Sequence, residues 1–245
     1  MSDLDLQISQ LFKTKKQAED IPREPFALHH LSHDLRGPLN AIIGFSEILL
    51  DGIEGPLNEA QLEDINSIHE SAHVLLRLIS DAVDLSKLDE DQLNLNFEPI
   101  GIAPIIDQLL ETKFEADIPL TAQIDQPDLA IPSENGRLDQ MLFNIVEFAM
   151  KADQVERVTL TTIADETYLT LQVVAVGGQI PEHELEHLFD LTVKAGTRGQ
   201  NKLGRGGIEL PLTQKLTKLH QGEFWLEQQA EGLTLYLKLP LQQPA

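Results

Sequence analysis

The sequence has 245 residues, 42% of them hydrophobic, which is enough for one large or two small domains with hydrophobic cores and argues against a disordered chain. The formal net charge is −22, so we expect no nucleic-acid partner, because phosphate contacts require clustered cations. The absence of cysteine excludes disulfides and thiolate chemistry. With no run of 18 apolar residues and no signal pattern at the N-terminus, we expect a cytoplasmic protein without a membrane partner.

After a polar lead-in over residues 1–24, the region 25–92 carries two helical stripes. Apolar residues recur at steps of three and four from Phe26 to about Leu50, and again from Leu62 to about Leu88. Pro38 lies inside the first stripe and predicts a kink there. Glycine and proline separate the stripes, so the pattern predicts an antiparallel helical hairpin. One hairpin cannot bury both stripes, and we therefore expect two copies to form a four-helix bundle, that is, a homodimer.

The second half of the chain reads as a separate α+β domain over residues 101–242, joined by an extended linker over 93–100. Alternating apolar and polar residues, as in Val158-Thr159-Leu160, predict half-buried strands. We place helices near 102–114, 137–151, 182–189 and 208–220, and strands near 120–125, 157–163, 168–175, 222–228 and 233–239. Helices on one face of a mixed sheet form an α+β sandwich.

The candidate reactive group is a histidine in the first helix, within the string Ser32-His33-Asp34-Leu35-Arg36-Gly37-Pro38-Leu39-Asn40. A neutral imidazole is a good nucleophile toward phosphorus near pH 7, since its ordinary pKa is about 6.5. Asp34 can hold the ring tautomer or take up its proton, and Arg36 can screen the charge of a phosphoryl group. The string resembles the phosphoacceptor box of sensor histidine kinases, S-H-D/E-L-R-x-P-L. The resemblance implies that His33 receives a phosphoryl group and passes it to an aspartate on the receiver domain of a response regulator.

The same resemblance implies where such a receiver docks and which side activity is missing. Family partners dock just below the histidine, here near Asn40, Ile43 and Gly44, and on the facing helix. The fourth residue after the histidine is often Thr or Asn in the family, where it orients water for phosphatase activity. Here it is Gly37, so we expect no phosphatase activity by that route.

The remaining histidines form no predicted metal site. They are His29, His30, His69, His73, His183, His187 and His220. His69 and His73 share a helical face at a zinc-like spacing of four residues. We find no convincing carboxylate partners for them in the sequence, and interpret both as polar positions beside the apolar stripe.

Residues 137–152 resemble the first nucleotide motif of the family, R-L-x-Q-x-L-x-N-x-x-x-N-A-x-K. The match keeps Asn144 and Lys151. The second asparagine, which in the family holds the Mg²⁺ bridging the nucleotide phosphates, is replaced by Phe148. A phenyl ring offers no oxygen, whereas Mg²⁺ demands oxygen ligands.

The next two nucleotide motifs are altered as well. In D-x-G-x-G, whose aspartate accepts the adenine amino hydrogen bond, the equivalents are Ala175, Gly177 and Gln179. In G-x-G-L-G-L, Gly207 stays and Glu209 replaces a glycine; a shifted register would rescue one glycine but not the whole motif. The family's ATP lid would correspond to Val193–Leu203, which we expect to be mobile.

Three functions remain open from the sequence. The first is a dimeric phosphotransferase or pseudokinase that shuttles phosphoryl groups through His33 without ATP or any other cofactor. The second is an ATP- and Mg²⁺-dependent sensor histidine kinase with a divergent pocket. The third is a non-catalytic regulator that docks on a receiver or another kinase.

Overall fold

The computed structural model describes residues 26–89, 93, 95–112, 114, 118–190 and 207–242. The chain divides into two compact units, Met1–Ser86 and Lys87–Ala245. Within the described parts of the chain, no helix combines the length and the apolar composition needed to cross a membrane.

Two long helices build the first unit, α1 over Phe26–Leu50 and α2 over Glu59–Asp89. α1 continues through Pro38, where the missing N–H leaves one backbone carbonyl without its helical donor. Pro38 is exposed, so water can take that place. α2 starts with a reciprocal cap, in which the Gln61 N–H donates to Asn58 Oδ1 and the Asn58 N–H donates to Gln61 Oε1, both at 3.0 Å.

The hairpin buries only part of its apolar surface. Its small core holds Leu39, Ile43 and Ala72, with Leu76 and Ile79 packed against them. Further large apolar side chains of α1 and α2 stay at least 40% exposed, and we call five of them the apolar flank: Leu35, Ile42, Phe45, Ile68 and Leu75. An isolated hairpin therefore leaves a row of apolar side chains in water, as the two stripes indicated.

A five-stranded mixed sheet organises the second unit. Its strands are β2 Leu120–Gln123, β4 Arg157–Ala164, β5 Tyr168–Val176, β6 Glu223–Gln229 and β7 Gly232–Pro240. They lie in the order β2-β4-β5-β7-β6, with β2 and β4 parallel and all other neighbours antiparallel. A second, two-stranded antiparallel sheet pairs β1 Glu98–Gly101 with β3 Ala130–Ser133. The helices are α3 Ile102–Glu111, α4 Arg137–Met150, α5 Glu182–Leu185 and α6 Glu209–Leu219.

Every second residue of β5 is buried, because one face of the sheet packs on the helices. The shared core includes Ile106 from α3, Leu142 from α4, Leu171 from β5 and Leu216 from α6, each at most 1% exposed. The predicted fold class, a helical hairpin followed by an α+β sandwich, is confirmed.

Three details differ from the sequence prediction. The small sheet of β1 and β3 was not predicted, and β1 begins inside the expected linker over 93–100. Both strands have four residues and contain proline, which hides the alternation that marks a strand. The helix expected over 182–189 forms only at Glu182–Leu185, and turns follow it.

A buried hydrogen-bonded histidine ties the small sheet to the end of α6. His220 is 1% exposed, and its Nδ1 lies 2.8 Å from the Leu216 carbonyl, which can only accept a hydrogen bond. Nδ1 therefore carries the proton, and Nε2 accepts from the Ser133 hydroxyl at 2.9 Å. Burial lowers the pKa of His220, which favours this neutral form.

Candidate functional site

The predicted phosphoacceptor stands exposed on α1. The side chain of His33 is 87% exposed and that of Asp34 is 80% exposed. His33 Nδ1 lies 3.7 Å from Asp34 Oδ1, too far for a hydrogen bond but close enough for the carboxylate to favour a proton on Nδ1. That tautomer leaves Nε2 with its lone pair available to a reactant from solvent.

Arg36 and Gly37 follow His33 on α1 within about one helical turn. Arg36 is exposed, and its Nη2 donates a long hydrogen bond of 3.5 Å to the Ser80 hydroxyl on α2. A Cβ added at Gly37 would meet no atom within 4 Å, and its backbone is helical. Packing therefore does not require glycine at this position, so the missing side chain bears on chemistry alone.

The residues predicted to receive a docking partner differ in their exposure to solvent. Asn40 is exposed, and open space surrounds Gly44. Ile43, in contrast, is 8% exposed and belongs to the hairpin core. Any docking on this part of α1 would have to use the backbone around Gly44 and the polar side chain of Asn40 rather than the Ile43 side chain.

Below this region the two helices bring together a group that sequence reasoning missed. Glu47 on α1 lies beside His69 and His73 on α2, and one ligand atom from each residue lies within 4.8 Å of the others. The expectation that these histidines lack a carboxylate partner is therefore wrong. The partner comes from the facing helix, and no local spacing in the sequence could indicate it.

On α4, the residues of the first nucleotide motif contact protein atoms. Asn144 is 3% exposed, and its Nδ2 donates to the Glu209 carbonyl at 3.5 Å. Lys151, the residue that follows α4, pairs through Nζ with Glu147 Oε1 in the last turn of that helix at 3.0 Å. Phe148, at the position of the metal ligand, is partly buried and packs against the core.

At the end of β5, the second motif is held by backbone contacts. Ala175 is fully buried, and its carbonyl accepts from the Gly178 N–H at 3.1 Å. Gly177 has φ +77°, and a Cβ there would lie 2.6 Å from the Gln154 carbonyl oxygen. Gln179 Nε2 donates to the Gln229 carbonyl at 3.1 Å. The retained glycine is thus explained by the fold, whereas Ala175 offers a nucleotide base no acceptor.

The third motif begins α6. Gly207 has φ +63°, and Glu209 occupies the first helical turn. Backbone N–H groups at a helix start attract anions, and a carboxylate placed there competes with a phosphate for that role. The region expected to form the ATP lid, Val193–Leu203, lies outside the described residues. The described nucleotide-motif residues therefore do not fit Mg²⁺-ATP at three positions, Phe148, Ala175 and Glu209.

Two protein families match the two parts of the chain. Residues 27–91 match the His Kinase A (phospho-acceptor) domain. Residues 134–243 match the histidine kinase-, DNA gyrase B-, and HSP90-like ATPase family.

Curated proteins and a solved structure give a consistent picture. The chain is 32% identical over 220 residues to the circadian input-output histidine kinase CikA of Synechococcus elongatus, covering 86% of this chain and 29% of CikA. It is 31% identical over 220 residues to the histidine protein kinase DivJ of Caulobacter vibrioides, covering 87% of this chain and 37% of DivJ. The chain thus spans about a third of the length of these relatives. The crystal structure of full-length ShkA in complex with AMPPNP has the same fold, with a TM-score of 0.63, 22% sequence identity, and coverage of 90% of this chain and 47% of ShkA.

Proposed function

Since the chain belongs to the sensor histidine kinase family, we propose that it carries phosphoryl groups on His33 without using ATP. It would exchange them with the receiver aspartate of a response regulator. The observation that carries the proposal is a contrast between the two units. The imidazole of His33 is exposed beside a carboxylate, whereas three positions that would contact metal, base and phosphate hold residues unsuited to them.

The transfer needs only groups that this chain and a phosphorylated receiver supply. Nε2 of neutral His33 attacks the phosphorus of the aspartyl phosphate, the bond from phosphorus to the aspartate oxygen breaks, and the aspartate leaves as a carboxylate. The ring then carries a positive charge, which is relieved when the Nδ1 proton passes to water or to Asp34. Arg36 offsets negative charge on the phosphoryl oxygens. The same steps run in reverse toward a second receiver.

The same three positions would also weaken the binding of ATP. A nucleotide amino group left without its acceptor at Ala175 costs about 1–3 kcal/mol. Every 1.4 kcal/mol is about a tenfold loss of affinity. Phe148 additionally removes an oxygen ligand for Mg²⁺, and Glu209 places negative charge where a phosphate would bind. Together these losses would lower nucleotide affinity by several decades.

One observation favours a second candidate, an ATP-dependent kinase with a divergent pocket. Residues 134–243 still match the ATPase family, and Asn144 and Lys151 are kept. Their contacts provide another reason for their presence, because Asn144 joins α4 to α6 and Lys151 forms an ion pair with Glu147 at the end of α4.

Association of two copies belongs to the proposal. The apolar flank of the hairpin is exposed in one chain, and a second copy offering the same flank would cover it and complete a four-helix bundle. The expected assembly is a homodimer that places one His33 on each hairpin.

A phosphoryl-transfer assay on the full chain separates the candidates. The chain is incubated either with a receiver domain carrying a radiolabelled aspartyl phosphate or with γ-labelled ATP and Mg²⁺. We expect acid-labile label from the receiver and none from ATP; His33→Gln should abolish labelling, and His187→Gln, a change at another exposed histidine, should preserve it. Label from ATP would support the kinase, and no label from either donor would indicate a docking protein.

A further inference from the structure

We propose that the helical hairpin contains a binding site for one divalent transition-metal ion of the zinc type, formed by Glu47 of α1 with His69 and His73 of α2. One ligand atom from each side chain lies within 4.8 Å of the other two. Zn²⁺ binds nitrogen and carboxylate oxygen at about 2.0–2.2 Å, which places tetrahedral ligand atoms about 3.4 Å apart. Rotation of the Glu47 and His73 side chains toward the His69 ring would close that difference.

A hydrogen bond to Ser46 orients the first histidine for this role. The Ser46 hydroxyl is 2.9 Å from the Ile42 carbonyl and 2.8 Å from the Ile43 carbonyl, so its single proton is donated to one of them. His69 Nδ1 lies 2.9 Å from the Ser46 hydroxyl oxygen, and because the hydroxyl proton is already used, Nδ1 donates its own proton to that oxygen. The lone pair of His69 is therefore on Nε2, and the ring is fixed by the type of outer contact that metal-binding histidines use. Ser46 is 3% exposed, so this contact is sheltered from water.

The second histidine, His73, lies beside His69 on the same face of α2. The His69 and His73 ring centroids lie 4.5 Å apart in an edge-on arrangement, as expected for residues four apart on one helix face. Burial lowers the pKa of His73, the neighbouring His69 and Arg77 lower it further, and only Glu47 opposes them. The Glu47 carboxylate supplies the negative charge that offsets Arg77.

The donor set selects the class of ion. Two imidazole nitrogens and one carboxylate suit zinc and its neighbours, and three protein ligands leave a fourth position for water. Mg²⁺ and Ca²⁺ prefer oxygen ligands throughout and should not compete.

The position of the site on the hairpin indicates its effect. At 100° per residue, Glu47 lies on the other side of the core position Ile43 from Ile42 and Phe45, so the site is separate from the apolar flank. It also lies fourteen residues beyond His33, about 21 Å along the helix axis. A bound ion would join α1 to α2 and stiffen the hairpin without taking part in chemistry at His33. This inference rests on hairpin geometry and not on the proposed function.

Titration of the metal-free full chain with Zn²⁺ tests the site, with calorimetry for stoichiometry and Co²⁺ absorption for coordination geometry. We expect one Zn²⁺ per chain, a visible Co²⁺ spectrum of tetrahedral type, and no competition from Mg²⁺. Glu47→Gln and His73→Gln should each weaken binding at least tenfold while keeping the helical circular dichroism. His33→Gln and His183→Gln are controls that should bind as the unaltered chain does.

Two results would overturn the inference. One is the absence of stoichiometric Zn²⁺ binding by the folded chain, and the other is undiminished binding by the double variant Glu47→Gln/His73→Gln. Phosphoryl transfer through His33 is measured separately in the presence of a chelator, where we expect it to continue. Failure of the metal site and failure of the proposed transfer are therefore distinguishable.

Discussion

Restoring the missing base acceptor at position 175 should damage the protein rather than repair it. Ala175 is fully buried. It lies on the central strand of the sheet, where it pairs with Val158 on β4 and Leu233 on β7. A Cβ added at Gly178 would lie only 3.0 Å from the Ala175 methyl carbon, which shows how little room surrounds it. In Ala175→Asp, the new carboxyl group would be buried away from water in this tightly packed place.

The cost follows from that burial. A neutral carboxyl group buried without a partner costs about 1–3 kcal/mol. Keeping it neutral at pH 7 requires protonation about three units above its ordinary pKa of about 3.9, which adds about 4 kcal/mol at 1.36 kcal/mol per unit. The pKa of the new aspartate is then raised in the native state, so the unfolded chain releases its proton first as the pH rises. The loss of stability should therefore grow from about pH 4 toward pH 7.

Urea unfolding of the full chain at pH 4.5 and pH 7 measures this loss, with Ala130→Asp as the control at an exposed strand position. We expect Ala175→Asp to lose several kcal/mol at pH 7, clearly less at pH 4.5, and to gain no saturable ATP binding. If Ala175→Asp is as stable as the control, or binds ATP, position 175 opens on a working nucleotide cleft and the reasoning about the second unit is wrong.

Three further predictions test other parts of the structure. In thermal unfolding, Gly177→Ala should destabilise the second unit by about 1–2 kcal/mol more than Gly136→Ala. Both glycines have positive φ, but only at Gly177 would the new methyl group press against a backbone oxygen. Equal losses of stability in the two variants would contradict this. The pKa of His220 is lowered in the folded chain, so the unfolded chain takes up a proton first as the pH falls below about 6.5. The free energy of unfolding should therefore fall by up to about 1.4 kcal/mol per pH unit in that range. His220→Gln should flatten this slope, whereas His183→Gln should not. Phe45→Asp, on the apolar flank and 68% exposed, should shift the chain from dimer to monomer in analytical ultracentrifugation, whereas Ile53→Asp, 71% exposed in the interhelical turn, should not; dimers in both would place the interface elsewhere.

Periodicity predicted the helical hairpin well because an amphipathic helix repeats its apolar residues at fixed steps. It could not predict how the apolar band of α1, that is, its apolar residues taken together, divides between a side that packs on α2 and a side that stays exposed. The structure buries Ile43 in the hairpin core and leaves Ile42 44% exposed, although both are isoleucines at adjacent positions. The band is wide enough to face α2 on one side and to form the apolar flank on the other, and only tertiary packing decides between them.

Pairs that depend on contacts distant in sequence were not predictable. β1 has a partner only because β3 reaches it, and neither strand shows alternation of its own. Glu47 becomes a neighbour of His69 only because the two helices fold back on one another. In contrast, the exposed His33–Asp34 pair could be read directly, because both residues lie on one helical turn and need no distant partner.

The residues of the altered nucleotide motifs fall into two groups, those kept and those replaced. The kept residues have reasons within the fold: Gly177 avoids a backbone clash, and Asn144 bonds the start of α6. Three of the replaced positions, Phe148, Ala175 and Glu209, are those where the family residue would serve the nucleotide as metal ligand, base acceptor or phosphate-binding glycine. This division is the one expected under the proposal that the domain no longer uses ATP, because residues that the fold requires would then be kept while residues that serve the nucleotide would not.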